Sequence, residues 1–350
     1  MFLIESIGWI GITLIVVLAI IFYLDFSQSR HSVLRNFPVL GHLRYFLEKQ
    51  GVYFRQYFFA NDREELPFNR ATRSWVYQAA KKEPGTIGFG STNDLRQPGS
   101  YIFINSPYPS LGEAHCETCT TVIGAEADKP FISKNIVNIS AMSYGALSKP
   151  AIQALSIGAG KANVWLNTGE GGLSPYHLEG ECDLIFQIGT AKYGVRDEKG
   201  NLSDQKLKEV ARHVRAFEIK LSQGAKPGKG GLLPGVKVTP AISRIRGIPI
   251  GKPSISPNRH LDIKTPDDLL DKIDHIRSLT GLPVGIKTVI SSQVYIERLC
   301  EAIVRRGSHS APDFITLDGG DGGTAAAPQA LADHVGLPLS ESLFILVDTL

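Results

Sequence analysis

From Asn135 onward the chain alternates short apolar runs with amphipathic stretches, and this alternation limits the fold more than any other feature. The apolar runs are Ile136–Ala141, Ala162–Asn167, Leu184–Ile188, Ala216–Leu221, Val284–Val289 and Phe314–Asp318. Their near-continuous hydrophobic character is that of parallel strands buried on both faces. Helical stretches are expected between them at Lys149–Ala159, Ser203–His213, Pro266–Leu279 and Gln293–Arg306. Thr265-Pro266-Asp267-Asp268 is a strong helix start, with a threonine cap, proline in the first helical position and acids at the positive end of the dipole. Six such units predict an α/β chain with an incomplete (β/α)8 TIM-type barrel, about six units of eight.

Three glycine clusters follow expected strands: NTGEGG at Asn167–Gly172, KLSQGAKPGKGGLLPGVKVT at Lys220–Thr239, and DGGDGGT at Asp318–Thr324. Glycine lets backbone N–H groups approach a ligand, prolines hold turns in shape, and lysines add positive charge, so the middle cluster suits an anion. Three clusters at strand ends suggest one face of a barrel, lining one site.

Individual positions leave more than one reading. Ser143 and Gly145 in AMSYGALS stand where the first strand gives way to its helix, and fit either a helix cap or contact with a flat heteroaromatic ring. Glu170 is either a ligand-facing carboxylate or a solvated turn acid, and Gln187 either faces the barrel mouth or is a satisfied core amide. Lys287 lies inside the apolar strand VGIKTV, where an ammonium is costly unless it meets an anion or a reduced ring. Cys116 and Cys119 form a single CxxC with His115 in front, which lacks the second pair of a metal site. Four cysteines are too few for a disulfide framework and read as thiols in a reducing compartment. A formal charge of only +3, without a long basic block, argues against a nucleic-acid partner.

The N-terminus carries its own constraint. Ser6–Leu24 contains no charge and is long enough to span a bilayer core as a helix. It lacks the basic lead and small-residue cleavage site of a signal peptide. Arg30, His31, Arg35, Arg44 and Lys49 follow it, so the expected topology is a single-pass anchor with the body in the cytoplasm. The expected organisation is therefore an anchor at 1–25, a juxtamembrane helical region at 26–84, an extension at 85–134 and the barrel at 135–350. Helices in 26–84 should break at Asn61 and Pro67, their rings and arginines serving structural packing, the membrane interface or the barrel. Short strands, for example Tyr101–Asn105, are expected in the extension.

NISAMSYGALS, NTGEGG, QGAKPGKGGLLPGVKVTPAISRIR, VGIKTV and DFITLDGGDGGTAAAP together resemble the FMN-binding central domain of glutamate synthase. They resemble still more closely the membrane-anchored, stand-alone FMN-binding glutamate synthase family. The resemblance implies an FMN-bearing barrel that takes a 2-oxo acid. It places Ala141, Ser143, Asn167, Gln187, Lys220, Lys287, Gly319, Gly320, Gly322 and Gly323 on the flavin side, and Glu170, Lys226 and Arg246 around the oxo acid. The implied reaction forms L-glutamate from 2-oxoglutarate and ammonia by reduction of 2-iminoglutarate. Glu170, Lys226, Arg246 and Lys287 carry the chemistry, and electrons come from ferredoxin or an NAD(P)H-linked partner. Leu232 stands where the family's glutamate synthases usually have glutamine, so another FMN-dependent oxidoreductase of a 2-oxo or 2-hydroxy acid stays open. An IMP dehydrogenase-like reaction fits less well, because DGGDGGTAAAP holds no cysteine. The resemblance also implies that two further strands, with a phosphate loop, and the cysteines of an iron–sulfur cluster lie beyond Leu350. The 350-residue form is then expected to be a fragment that holds FMN weakly or is inactive, with ammonia supplied by a partner or by solution.

Overall fold

The structure, a computed structural model, describes residues 2–97, 100–109, 111, 120–228, 230–324 and 326–350. The chain divides into two compact units, Met1–Ile104 and Asn105–Leu350. Cys116 and Cys119 lie outside the described residues.

The first unit is helical: α1 (Phe2–Ser27), α2 (Ser32–Asn36), α3 (Leu40–Phe54), a π turn at Arg55–Phe59, and α4 (Arg70–Ala80). Within α1, Gly8–Ser27 is long and apolar enough to cross a membrane, with a mean hydropathy of 2.4. The end of α1 is tied to the start of α3, because the buried Asp25 carboxylate accepts the Val39 N–H at 2.9 Å and meets His42 Nε2 at 2.9 Å. The expected break at Asn61 and Pro67 is present as irregular chain, and α4 restarts on Asn69, whose side chain accepts the Thr72 N–H at 3.0 Å. Tyr101–Asn105 is not a strand. Among the described residues nothing pairs with it and its side chains are exposed, and an unpaired extended segment has no ladder to hold it.

The second unit opens with an antiparallel pair, β1 (Thr121–Ile123) and β2 (Phe131–Ser133). It continues as α5 (Lys149–Ala162), β3 (Leu166–Asn167), α6 (Pro175–Leu178), β4 (Leu184–Ile188), α7 (Asp204–Ala211) and β5 (Ala216–Lys220). After β5 come β6 (Leu232–Leu233), α8 (Pro240–Arg246), β7 (Ser254–Ile255), α9 (Pro266–Thr280), β8 (Val284–Thr288), α10 (Gln293–Arg306) and β9 (Ile315–Leu317). The short helices α11 (Gln329–His334) and α12 (Leu339–Thr349) follow. Strands β3, β4, β5, β8 and β9 form a parallel sheet in that order, while β6 and β7 pair separately. An order that never reverses is that of a singly wound barrel rather than a doubly wound sheet. The unit is α/β, with the sheet of a partial TIM-type barrel.

Five strands stand where six were expected, because Ile136–Ala141 contributes only the bridge Ile139 to Leu166. The ladder stops there for a local reason: the Trp165 N–H is taken at 3.1 Å by the Asn138 side-chain oxygen instead of a backbone carbonyl, and Ile136 and Val137 stay exposed. Helix starts match their signals. Thr265 accepts the Asp268 N–H and Asp268 accepts the Thr265 N–H, closing a capping box on α9.

Strand alternation separates two faces. Leu166, Leu184, Phe186, Ile188, Phe217, Ile219, Val284 and Ile286 share one core with Ala159 of α5, Leu207 of α7, Leu270, Ile273 and Ile276 of α9 and Leu299 of α10. The opposite face carries Asn167, Gln187, Glu218, Lys220, Lys287 and Thr316, an uncommon load for the middle of a sheet.

Candidate functional site

At the centre of that polar face is Glu218, on β5 and 2% exposed. One carboxylate oxygen accepts Asn167 Nδ2 at 2.9 Å from β3 and Gln187 Nε2 at 2.6 Å from β4. The other accepts the Thr316 hydroxyl from β9. A buried carboxylate is tolerated when its lone pairs are filled in this way. The network also fixes the amides: with their NH2 groups spent on Glu218, Asn167 Oδ1 accepts the Gly169 N–H at 2.9 Å, opening the NTGEGG turn. Gln187 is 1% exposed, with its NH2 group held by Glu218.

Two residues beyond Glu218 on the same face, Lys220 lies in register with Lys287. Each lysine finds an acid on a neighbouring glycine loop: Lys220 Nζ is 3.0 Å from Glu170 and Lys287 Nζ is 3.7 Å from Asp318. Above Lys220 a cleft opens at the C-terminal ends of the strands, lined by Glu170, Thr190, Gln223, Lys226 and the backbone of Gly228, Gly230 and Gly231. Glu170, Lys220 and Lys226 are thus brought together from two separate stretches of sequence, NTGEGG and the Lys220–Thr239 loop. His260 fixes the floor. Its Nε2–H donates to the Lys220 carbonyl at 2.9 Å, burial holds its pKa below the usual histidine value, and its buried Nδ1 has no partner among the described residues.

Arg246 ends α8, which Thr239 caps and Pro240 begins. The guanidinium is buried. Nη2 donates to the Tyr144 carbonyl at 3.0 Å, the central guanidinium carbon lies 5.0 Å from the Tyr193 ring centroid, and Nε has no hydrogen-bond partner among the described residues. Burial lowers its pKa, while Tyr193 and Glu170 act in the opposite direction. Ser143 sits beside it, reached by the NTGEGG turn because Gly169 has φ +65 and a side chain there would press on the Ser143 backbone. Ala141 and Ser143 are half-buried on the loop leading to α5, whose cap is Ser148 rather than Ser143.

Gly319, Gly320, Gly322 and Gly323 form the turn after β9, folded against the Lys220–Thr239 loop. The Gly224 N–H donates to Asp318 Oδ2 at 2.9 Å and Gln223 Nε2 donates to the Gly323 carbonyl at 3.2 Å. Gly224 approaches Gly319 so closely that a Cβ would collide with its carbonyl. Leu232 is exposed on β6 and outside the cleft lining. Sequence reasoning missed Glu218, Thr316, Asp318 and His260. The signal for Glu218 was available, since an acid inside the apolar run AFEIKL is as anomalous as Lys287 in VGIKTV.

Residues 109–350 match the family model described as the conserved region in glutamate synthase. The glutamate synthase large subunit-like protein YerD of Bacillus subtilis (strain 168) is 40% identical over 96% of this chain and 71% of its own length. An archaeal-type glutamate synthase (NADPH) of Thermotoga maritima is 40% identical over 58% of this chain, which spans only 37% of that relative. A glutamate synthase large subunit-like protein of Rhizobium meliloti is 34% identical over 79% of this chain and 60% of its own length.

Proposed function

We propose, because the chain belongs to the glutamate synthase family, that its polar sheet face and adjoining cleft form a flavin-dependent site making L-glutamate from 2-oxoglutarate and ammonia. The observation that carries this reading is the convergence of Glu170, Lys220 and Lys226 in one cleft at the C-terminal ends of parallel strands, where sites of such barrels lie.

The residues present suit FMN. Lys220 and Lys287 stand in register on one face, Lys220 held at 3.0 Å by Glu170 and at 3.2 Å by the Gln223 side-chain oxygen, and Lys287 at 3.7 Å from Asp318. The glycine loops also bring backbone within reach of a ligand. When bound and reduced, FMN supplies the hydride that converts 2-iminoglutarate to L-glutamate. Lys287 stabilises negative charge next to it, and Ser143, Asn167 and Gln187 shape the wall through their fixed polar atoms. Lys226 and Arg246 bind the carboxylates of the oxo acid. Glu170 helps to orient the imine nitrogen or to protonate it, with its present contact to Lys220 exchanged for that one. On the same reading α1 anchors the chain in a membrane with the barrel in the cytoplasm, and ferredoxin or an NAD(P)H-linked partner supplies electrons.

The test compares FMN affinity, by fluorescence titration, with kcat/KM for 2-oxoglutarate plus ammonia. Lys226→Met removes a charge-assisted contact and should cost about 1.5 to 3 kcal/mol, roughly ten- to hundredfold in kcat/KM, with FMN affinity unchanged. Arg246→Lys should weaken substrate more than flavin, because a lysine has no planar fork. Lys287→Met should weaken FMN binding. Unaltered kinetics in the Lys226 and Arg246 variants remove both from the substrate site.

A further inference from the structure

We propose that the helical unit after α1 is a second membrane-binding element, lying on the headgroups of an anionic phospholipid bilayer. This rests on the reading that α1 enters the bilayer.

Charge along the chain is unevenly distributed. Residues 26–84 carry ten lysines and arginines against five aspartates and glutamates, whereas residues 1–25 carry two acids and no lysine or arginine. With a total of +3, residues 85–350 are neutral as a set, so all the net positive charge lies in the segment next to the span. Pairing sharpens this asymmetry. Asp62 and Glu65 are taken by Arg70 and Arg73, while Arg30, Arg35, Arg44, Lys49 and Arg55 are in no ion pair among the described residues. Clustered unpaired bases beside a span are what an anionic leaflet attracts.

The same segment exposes an apolar stripe. Leu40, Leu43, Leu47 and Phe54 recur at helical spacing on one side of α3, each more than half exposed, and Arg44 and Arg55 border them. The π turn adds Phe58 and Phe59, exposed at 73% and 74%, and α4 adds Trp75 at 63%. Between the π turn and the start of α4 is an open cavity of about 480 Å³, lined by Arg55, Gln56, Leu66, Phe68 and the Glu65–Arg73 ion pair, so guanidinium and apolar groups lie side by side there. Rings flanked by guanidinium groups are the composition of an interfacial helix, because rings settle at the headgroup level while arginines reach the phosphates. Continuity supplies the occupant: Asp25 latches α1 to α3 through Val39 and His42, so the stripe begins where the apolar span ends.

Trp75 is the probe. The full chain is reconstituted in phosphatidylcholine–phosphatidylglycerol vesicles as a Trp9→Phe, Trp165→Phe variant, so that Trp75 alone emits. Lipids brominated near the glycerol backbone should quench it, lipids brominated near the methyl ends should not, and pure phosphatidylcholine should reduce the quenching. Phe58→Trp in a tryptophan-free chain is an independent probe should the first variant fold poorly. Retention through carbonate extraction reports α1 separately. A chain that is retained but whose probes are unquenched, the stripe being covered by a second copy or by the chain itself, overturns this inference while leaving the anchor standing. Release by carbonate overturns the anchor.

Discussion

Replacing Glu218 with leucine tests whether the polar network holds the sheet together. Leucine is close in volume, so the loss comes from the partners left behind. Asn167 Nδ2 and Gln187 Nε2, now bonded at 2.9 and 2.6 Å, lose their acceptor in a buried face, and the half-buried Thr316 hydroxyl loses its bond to Glu218 as well. Each stranded buried donor costs about 1 to 3 kcal/mol, so two give about 2 to 6 kcal/mol. With a urea dependence of about 3 kcal/mol per molar, the midpoint should fall by about 0.7 to 2 M. Trp165, at the entry to β3, reports on the second unit alone once Trp9 and Trp75 are phenylalanine. Glu218→Gln keeps one acceptor for both amides and should fall by much less. The reasoning fails if Glu218→Leu is as stable as the parent, as happens when an apolar side chain replaces a buried polar network without loss.

Gly224→Ala should loosen the contact between the two glycine loops, because its Cβ would meet the Gly319 carbonyl, and cost about 1 to 3 kcal/mol. Gly228→Ala, with open space around it, should cost only the strain of its φ of +65, and FMN titration of both variants separates loop docking from backbone strain. Burial lowers the pKa values of His177 and His260, so the unfolded chain takes up protons first and stability should fall as pH drops below about 6.5. Urea midpoints measured across that range should flatten in a His177→Asn, His260→Gln variant. If Leu232 turns the site towards another acid, Leu232→Gln should raise kcat/KM for 2-oxoglutarate, whereas its exposure outside the cleft lining favours no change.

Much of the architecture was legible in the residues alone, because it rests on local physics. Apolar-rich runs became β4, β5, β8 and β9 within a residue or so, since runs of five or six residues bounded by turn signals are too short for helices. Thr265-Pro266 and Thr239-Pro240 start helices because capping is settled within four residues. The glycine clusters read correctly as strand-end loops, and Lys287 as a charge needing a partner. What only the tertiary structure decided depends on neighbours far apart in sequence. Asn138 truncates the first strand by answering Trp165 with its side chain, an exchange that periodicity cannot show. The Gln187 NH2 group is held by Glu218, 31 residues later. The acid paired with Lys287 is Asp318 on the next strand's loop, and Lys220 meets Glu170 across 50 residues. A charge in an apolar run announces that a partner exists, but strand register chooses which one, and register is a property of the assembled sheet.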